Sequence, residues 1–209
     1  AQAWVRNDSD IASYEDLGGA SSCHTGWLKS AGMLMPMGYL IGNGFVEVVG
    51  DANEIDSLRA TIESTFDSAS IPGKGDPYHG YSGAFRCLSE GVGDIAFVKS
   101  TSYEEHCEGN SWCLERSEYR PLEPAFGHVP SHAVMVNPSH SSDAKIAAVT
   151  AALLALNEGE EGQAILGSVL NTPGITAVNS ATHLGSYSDA ISNIPGIQQY
   201  FAESYEQTG

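Results

Sequence analysis

From its first residue the chain alternates short apolar runs with stretches of helical spacing. AQAWVRNDSD predicts a strand running into a turn, and SYEDLGGASSCHTGWLKSAG predicts a short helical turn, a second strand and a small-residue loop that opens a helix. Met33, Met35, Met37, Leu40 and Ile41 carry the apolar positions that follow. Between Asn53 and Ser68, Ile55, Leu58, Ile62 and Phe66 recur at helical spacing, and Pro72, Gly73, Gly75 and Pro77 then break the pattern. GYSGAFRCLSEG predicts a short helix, and DIAFVKS a buried strand with almost no polar alternation. Residues 101–128, rich in Glu, Tyr and Pro, read as an irregular excursion. HAVMVNPS predicts a strand ending at Pro138. Ser142 or Asp143 then caps a helix with Ile146, Val149, Leu153, Leu154 and Leu156 on one face. A helix over Glu160 to Leu170 and a short aromatic helix through Tyr200, Phe201 and Tyr205 close the chain. Strands alternating with helices, without internal repeats, predict an α/β fold with mainly parallel pairing, in which ligands sit at the carboxyl ends of strands beside helix N-termini.

Composition narrows the partners. Nine Lys and Arg against 26 Asp and Glu give a formal charge of −17, which argues against nucleic acid and against an anionic membrane surface. The acidic excess suits a saline habitat or a cation-collecting surface, and solubility alone also accounts for it. No apolar run reaches the roughly 20 residues of a transmembrane helix, and Ala1 opens no signal peptide, so the chain reads as a mature or trimmed soluble protein. The four cysteines, Cys23, Cys87, Cys107 and Cys113, form no C-x-x-C pair. Their even, sparse number suggests two disulfides, with Cys107 and Cys113 clamping the polar turn EGNSW and Cys23 and Cys87 tying distant segments; four buried free thiols are the alternative. Disulfides imply an oxidising, extracytoplasmic setting.

Two segments carry candidate chemistry. In SSCHTGWLKSAG, free amides at a helix start, the Thr25 hydroxyl and Lys29 at i+4 from Thr25 form a candidate anion cradle, with Ala31 and Gly32 small enough for close approach. The competing reading is an ordinary capped helix with an exposed lysine. The order of residues matches neither a P-loop nor G-x-G-x-x-G. In DPYHGYSGAF, Tyr78, His79 and Tyr81 precede a helix; a hard trivalent cation can take the proton from a phenol near neutral pH, whereas a packed, hydrogen-bonded tyrosine is the plainer reading. His128 and His132 flank Pro130, which excludes H-E-x-x-H zinc chemistry, and GYSGA fails G-x-S-x-G. No nucleophile and base fall at usable spacing, so the chain reads as a non-enzyme.

SSCHTGWLKSAG resembles the anion-binding segment of transferrin lobes, usually SCHTGxxRxAG. GYSGAFRCLSEGVGDIAFVKSTS resembles their segment with a metal-binding tyrosine, and VPSHAVMV the one with the metal-binding histidine. HAVMVNPSHSSDAKIAAVTAALLALNEGEEGQAIL is similar instead to the C-terminal part of phosphonate-type periplasmic solute-binding proteins. The combination resembles the phytotransferrin type. The resemblance implies a type II periplasmic-binding-protein-like mixed sheet with flanking helices and a partial two-domain cleft. It makes 1–132 the second, anion- and metal-binding domain, and 133–209 a return segment completing part of the first. It implies Tyr81 and His132 as ligands of Fe(III), and Thr25, Lys29 and the amides of Ala31 and Gly32 as the seat of a synergistic carbonate. It also pairs Cys23 with Cys87. Lys29 stands where the family usually has Arg, which replaces a bidentate fork by a point charge. The remaining two protein ligands of such a lobe fall before Ala1, so the resemblance implies weak iron binding by this chain alone, with the other half absent or on a separate polypeptide. The function implied is an extracellular or cell-surface ferric-ion carrier, with a cell-surface receptor as a further partner; the alternative is a solute-binding module for phosphate, phosphite or phosphonate.

Overall fold

The computed structural model describes residues 1–206 and divides into two compact units, residues 1–129 with 186–206 and residues 130–185. In the first unit, strands β1 (Gln2–Arg6), β2 (Ser21–Cys23), β3 (Ser68–Ser70), β4 (Ile95–Val98) and β5 (Tyr119–Leu122) form one five-stranded sheet in the order β3-β2-β4-β1-β5. The pairing is mixed, as the resemblance implies and not mainly parallel as the alternation of elements alone suggests: β2 runs parallel to β3 and β4, and β1 runs antiparallel to β4 and β5. The excursion expected over 101–128 contains helix α4 (Ser102–His106) and β5. Strand β5 lies at the sheet edge, which is why its sequence YRPL tolerates Pro121: an edge strand leaves backbone donors unpaired without loss.

Alternation along the strands sorts side chains onto two faces. Ala3, Val5, Ile95 and Phe97 face a large core, while Trp4, Ala96, Val98 and Cys23 face a smaller one. The larger core receives Met35, Met37 and Leu40 of helix α1 (Met35–Gly42), preceded by a wide π turn at Ser30–Leu34, and Leu58 and Ile62 of α2 (Asp56–Thr65). Helix α2 is shorter than the expected Asn53–Ser68 because the chain is already extended at Phe66 before entering β3. The smaller core receives Ala84, Phe85, Cys87 and Leu88 of α3 (Gly80–Ser89). Helix α8 (Ile197–Glu206) ends the described chain.

The second unit is helical: α5 (Asp143–Ala155), capped by Ser142 as expected, and α6 (Gly159–Ile165), which widens into a π turn at Leu166–Leu170. Helix α7 (Ser180–Ile191) is interrupted at Gly185, where the two units join in sequence. The strand expected at HAVMV does not form. Val134, Met135 and Val136 are 65%, 86% and 50% exposed, and the second unit has no strand among the described residues to pair with them. An apolar run becomes a strand only when another strand takes up its backbone donors and acceptors.

Both disulfides are present, Cys23–Cys87 across 64 residues and Cys107–Cys113 across six. The longer bridge joins the end of β2 to α3 with a Cα–Cα distance of 6.0 Å. Replacing it by the double variant Cys23→Ala/Cys87→Ala is expected to lower stability by about 4 kcal/mol, the loop-closure value for a bridge of this span. Urea unfolding against the wild type measures it.

Candidate functional site

The residues expected to form the anion cradle lie where β2 ends. After Cys23 the chain does not enter a helix at once: Gly26 has φ 136° and Leu28 φ 55°, and the π turn begins only at Ser30. Gly26 supplies a conformation that L side chains rarely adopt, and Leu28 is held in the left-handed region at a cost of about 1 kcal/mol or more. This corrects the expected i+4 relation of Thr25 and Lys29 on one helical face. The two residues flank an irregular loop, and Lys29 is the exposed N-cap of the turn, whose carbonyl accepts from Met33 and Leu34 at 2.9 and 3.1 Å.

Thr25 is buried, and its hydroxyl has no hydrogen-bond partner in the protein. It lies against Gly32, where any Cβ would collide with its Oγ1 and Cγ2. A buried hydroxyl normally finds a partner, so Thr25 Oγ1 has unused capacity beside the first amides of the turn at Ala31 and Gly32. That donor set fits a small oxyanion. Cations stand nearby in sequence and space: Lys29 at the turn, and Arg59, whose guanidinium lies 4.3 Å over the ring of Trp27 in the same loop.

The loop is tied to the tyrosine helix. The Gly80 N–H donates to the Thr25 carbonyl at 2.9 Å, and Cys23–Cys87 holds the same two elements together. The imidazole of His79, the N-cap of α3, packs against Gly26. Tyr81, in the first turn of α3, is half-buried. Burial pushes its hydroxyl pKa up, the Lys99 ammonium 4.8 Å over its ring pulls it down, and Glu105 pushes it up again. Lys99 is itself paired with Glu105 at 3.4 Å. Tyr78 has another occupation: its hydroxyl donates to Glu90 at 2.9 Å, and Glu90 also takes the Arg86 guanidinium. His132 lies in the second unit, exposed, on the segment where the expected strand is absent. Among the described residues there is no group of three or more His, Cys, Asp or Glu that could hold a metal.

His24 carries structural weight that the sequence reading did not assign to it. Its ring is 1% exposed and packs on Phe97 and Phe66, with centroids 5.1 and 6.2 Å away. Its Nδ1 is 2.9 Å from the Gly32 carbonyl and its Nε2 is 3.0 Å from Ser22 Oγ. The Ser-x-His spacing on a strand was the available signal, since residues two apart share a face.

Burial lowers the His24 pKa to about 4, with the hydrogen bond to Gly32 opposing the shift. The folded protein therefore keeps this ring neutral while the unfolded chain takes up a proton near the usual value of 6.5. Stability from this group is complete above that value and is lost as pH falls toward about 4, by about 3 kcal/mol in all. Urea unfolding across that window is expected to show this component in the wild type and not in His24→Asn. Separately, Gly32→Ala is expected to displace Thr25 and cost about 1–3 kcal/mol, the range for overpacking, read as a lower urea midpoint.

The transferrin family model matches residues 1–76 and 72–155. The chain is 33% identical to serotransferrin of Oryzias latipes over 68% of this chain and 25% of that protein. It is 36% identical to ovotransferrin of Gallus gallus over 57% and 21%, and 32% identical to melanotransferrin of Homo sapiens over 65% and 24%. The structure of transferrin 1 from Manduca sexta matches with a TM-score of 0.50 and 22% identity, covering 58% of this chain and 24% of that one. The chain thus spans about a quarter of the length of these relatives. With the family model covering well over half of its length, the chain belongs to the transferrin family.

Proposed function

We propose that this chain is the Fe(III)- and carbonate-binding portion of an extracellular, non-enzymatic iron carrier. The observation that carries the reading is the buried, unpartnered Thr25 hydroxyl beside Gly32, in a loop hydrogen-bonded to the foot of the helix that bears Tyr81. In this reading Thr25 and the amides of Ala31 and Gly32 donate to carbonate, and Lys29 offsets its charge. Tyr81 gives a phenolate and His132 an imidazole to the metal. Fe(III) is a hard acid that prefers oxygen donors and displaces the phenol proton, and the dianion fills coordination positions while neutralising charge.

The two disulfides support an oxidising, extracellular setting. Residues 1–132 act in this reading as the anion- and metal-binding domain, and 133–209 as the return segment. The phytotransferrin subtype rests on the acidic composition and the sequence from His132 to Leu166. Among the described residues no helix is long and apolar enough to cross a membrane.

Titrating the protein with Fe(III) nitrilotriacetate in bicarbonate is expected to give a phenolate-to-iron charge-transfer band that is absent in bicarbonate-free buffer. Tyr81→Phe abolishes the band, and His132→Ala keeps it while weakening iron binding about tenfold or more. Because acid protonates both carbonate and imidazole, the band is expected to fade on mild acidification. A band that is indifferent to bicarbonate and to Tyr81 overturns the reading.

A further inference from the structure

The Gly32 carbonyl cannot be satisfied in the usual way within its own helix. The residue four positions on, whose N–H an α-helix would offer it, is Pro36. A buried carbonyl denied that donor can be served by a side chain from a neighbouring element. His24, just beyond β2, provides one in the 2.9 Å contact from its Nδ1. A carbonyl oxygen only accepts, so Nδ1 holds the ring proton; Nε2 then presents its lone pair and takes the hydrogen of the Ser22 hydroxyl at 3.0 Å. One tautomer is thereby fixed, in a ring packed between Phe66 and Phe97. The next residue, Thr25, covers the Cα side of the same glycine. Consecutive residues thus grip Gly32 by its carbonyl and by its α-carbon.

We infer that His24 is a positioning residue for the oxyanion turn: through Ser22–His24–Gly32 it holds the amides of Ala31 and Gly32 in the orientation an anion requires, without touching the anion. The inference rests on the oxyanion reading above and adds to it the residue that shapes the cradle. A histidine in this role is replaceable by asparagine, whose amide N–H₂ reaches about where Nδ1–H does, and not by leucine, which fills the space and donates nothing.

The test compares wild type, His24→Asn and His24→Leu by two measurements. The first, on the iron-free protein, is amide hydrogen exchange at Ala31, Gly32 and Met33, with the β4 amides of Ala96 to Val98 as reference. The second is the bicarbonate concentration giving half of the iron-phenolate band. His24→Leu is expected to speed exchange in the turn about tenfold while β4 is unchanged, and to raise the bicarbonate midpoint about tenfold, as loss of one buried hydrogen bond predicts. His24→Asn is expected to stay within about threefold of wild type in both. Equal loosening of the turn and β4, or identical behaviour of the two variants, overturns the inference. If wild type gives no bicarbonate-dependent band, the oxyanion reading itself has failed, and the iron-free exchange comparison alone decides whether His24 holds the turn.

Discussion

The tie between the end of β2 and α3 is the constraint on which the rest of the first unit depends. Cys23 is bonded to Cys87, and two residues later the Thr25 carbonyl accepts from Gly80. These links fix a loop that has little regular hydrogen bonding of its own and contains two residues with positive φ. A loop of that kind is entropically expensive to order, and a covalent bridge across 64 residues removes much of the competing unfolded freedom. The same links set Tyr81 one turn from the loop. The loop after β2 and the helix that bears Tyr81 are thus joined by one covalent and one backbone constraint.

Strand β2 is three residues long and serves both faces of the sheet. Cys23 points into the smaller core with Phe85 and Cys87, while His24, just beyond the strand, packs on Phe97 and Phe66 of the larger one. A purely apolar strand would pack as well and do less. Here one face carries the bridge to α3 and the other the Ser22–His24 chain, which ends at the Gly32 carbonyl. The burial that keeps His24 neutral also keeps a second positive charge out of the core, leaving Lys29 and Arg59 at the surface of the loop as the local cations on a chain of formal charge −17.

Much of this was legible in the sequence where local pattern and tertiary environment agree. DIAFVKS forms β4, GYSGAFRCLSEG forms α3 and Ser142 caps α5, because each signal is satisfied by neighbours in its own unit. Strand β5 was hidden because Pro121 reads as a breaker, and only its edge position makes the proline harmless. HAVMV failed in the opposite sense: its apolarity is that of a buried strand, yet Met135 is 86% exposed. Periodicity records what a segment is suited to bury, and burial itself takes a partner surface. The α5 face shows the same thing, with Ile146, Leu153 and Leu154 only half-buried and Val149 49% exposed. At the candidate site, Thr25, Lys29, Ala31, Gly32 and Tyr81 were legible as residue types, but the irregular path between Thr25 and Lys29 was not, since the left-handed Leu28 is imposed by its surroundings.

Lysine at position 29 sharpens the role of that geometry. An arginine can grip a carbonate with two parallel N–H groups and so orient it, whereas an ammonium is a point charge that attracts without orienting. In the proposed site, orientation therefore falls to the Thr25 hydroxyl and the amides of Ala31 and Gly32. A hydrogen bond aimed by a backbone amide weakens steeply with misalignment, so the turn has to be held rather than merely formed. α-Helical pairing gives the Gly32 carbonyl no donor, because the residue four positions on is Pro36. The His24 contact supplies a donor from the residue just beyond β2, and it does so in a side chain too buried to be protonated near neutral pH. The point charge and the braced turn are thus complementary: the less the cation orients the anion, the more the orientation depends on the hydrogen bond between His24 and Gly32.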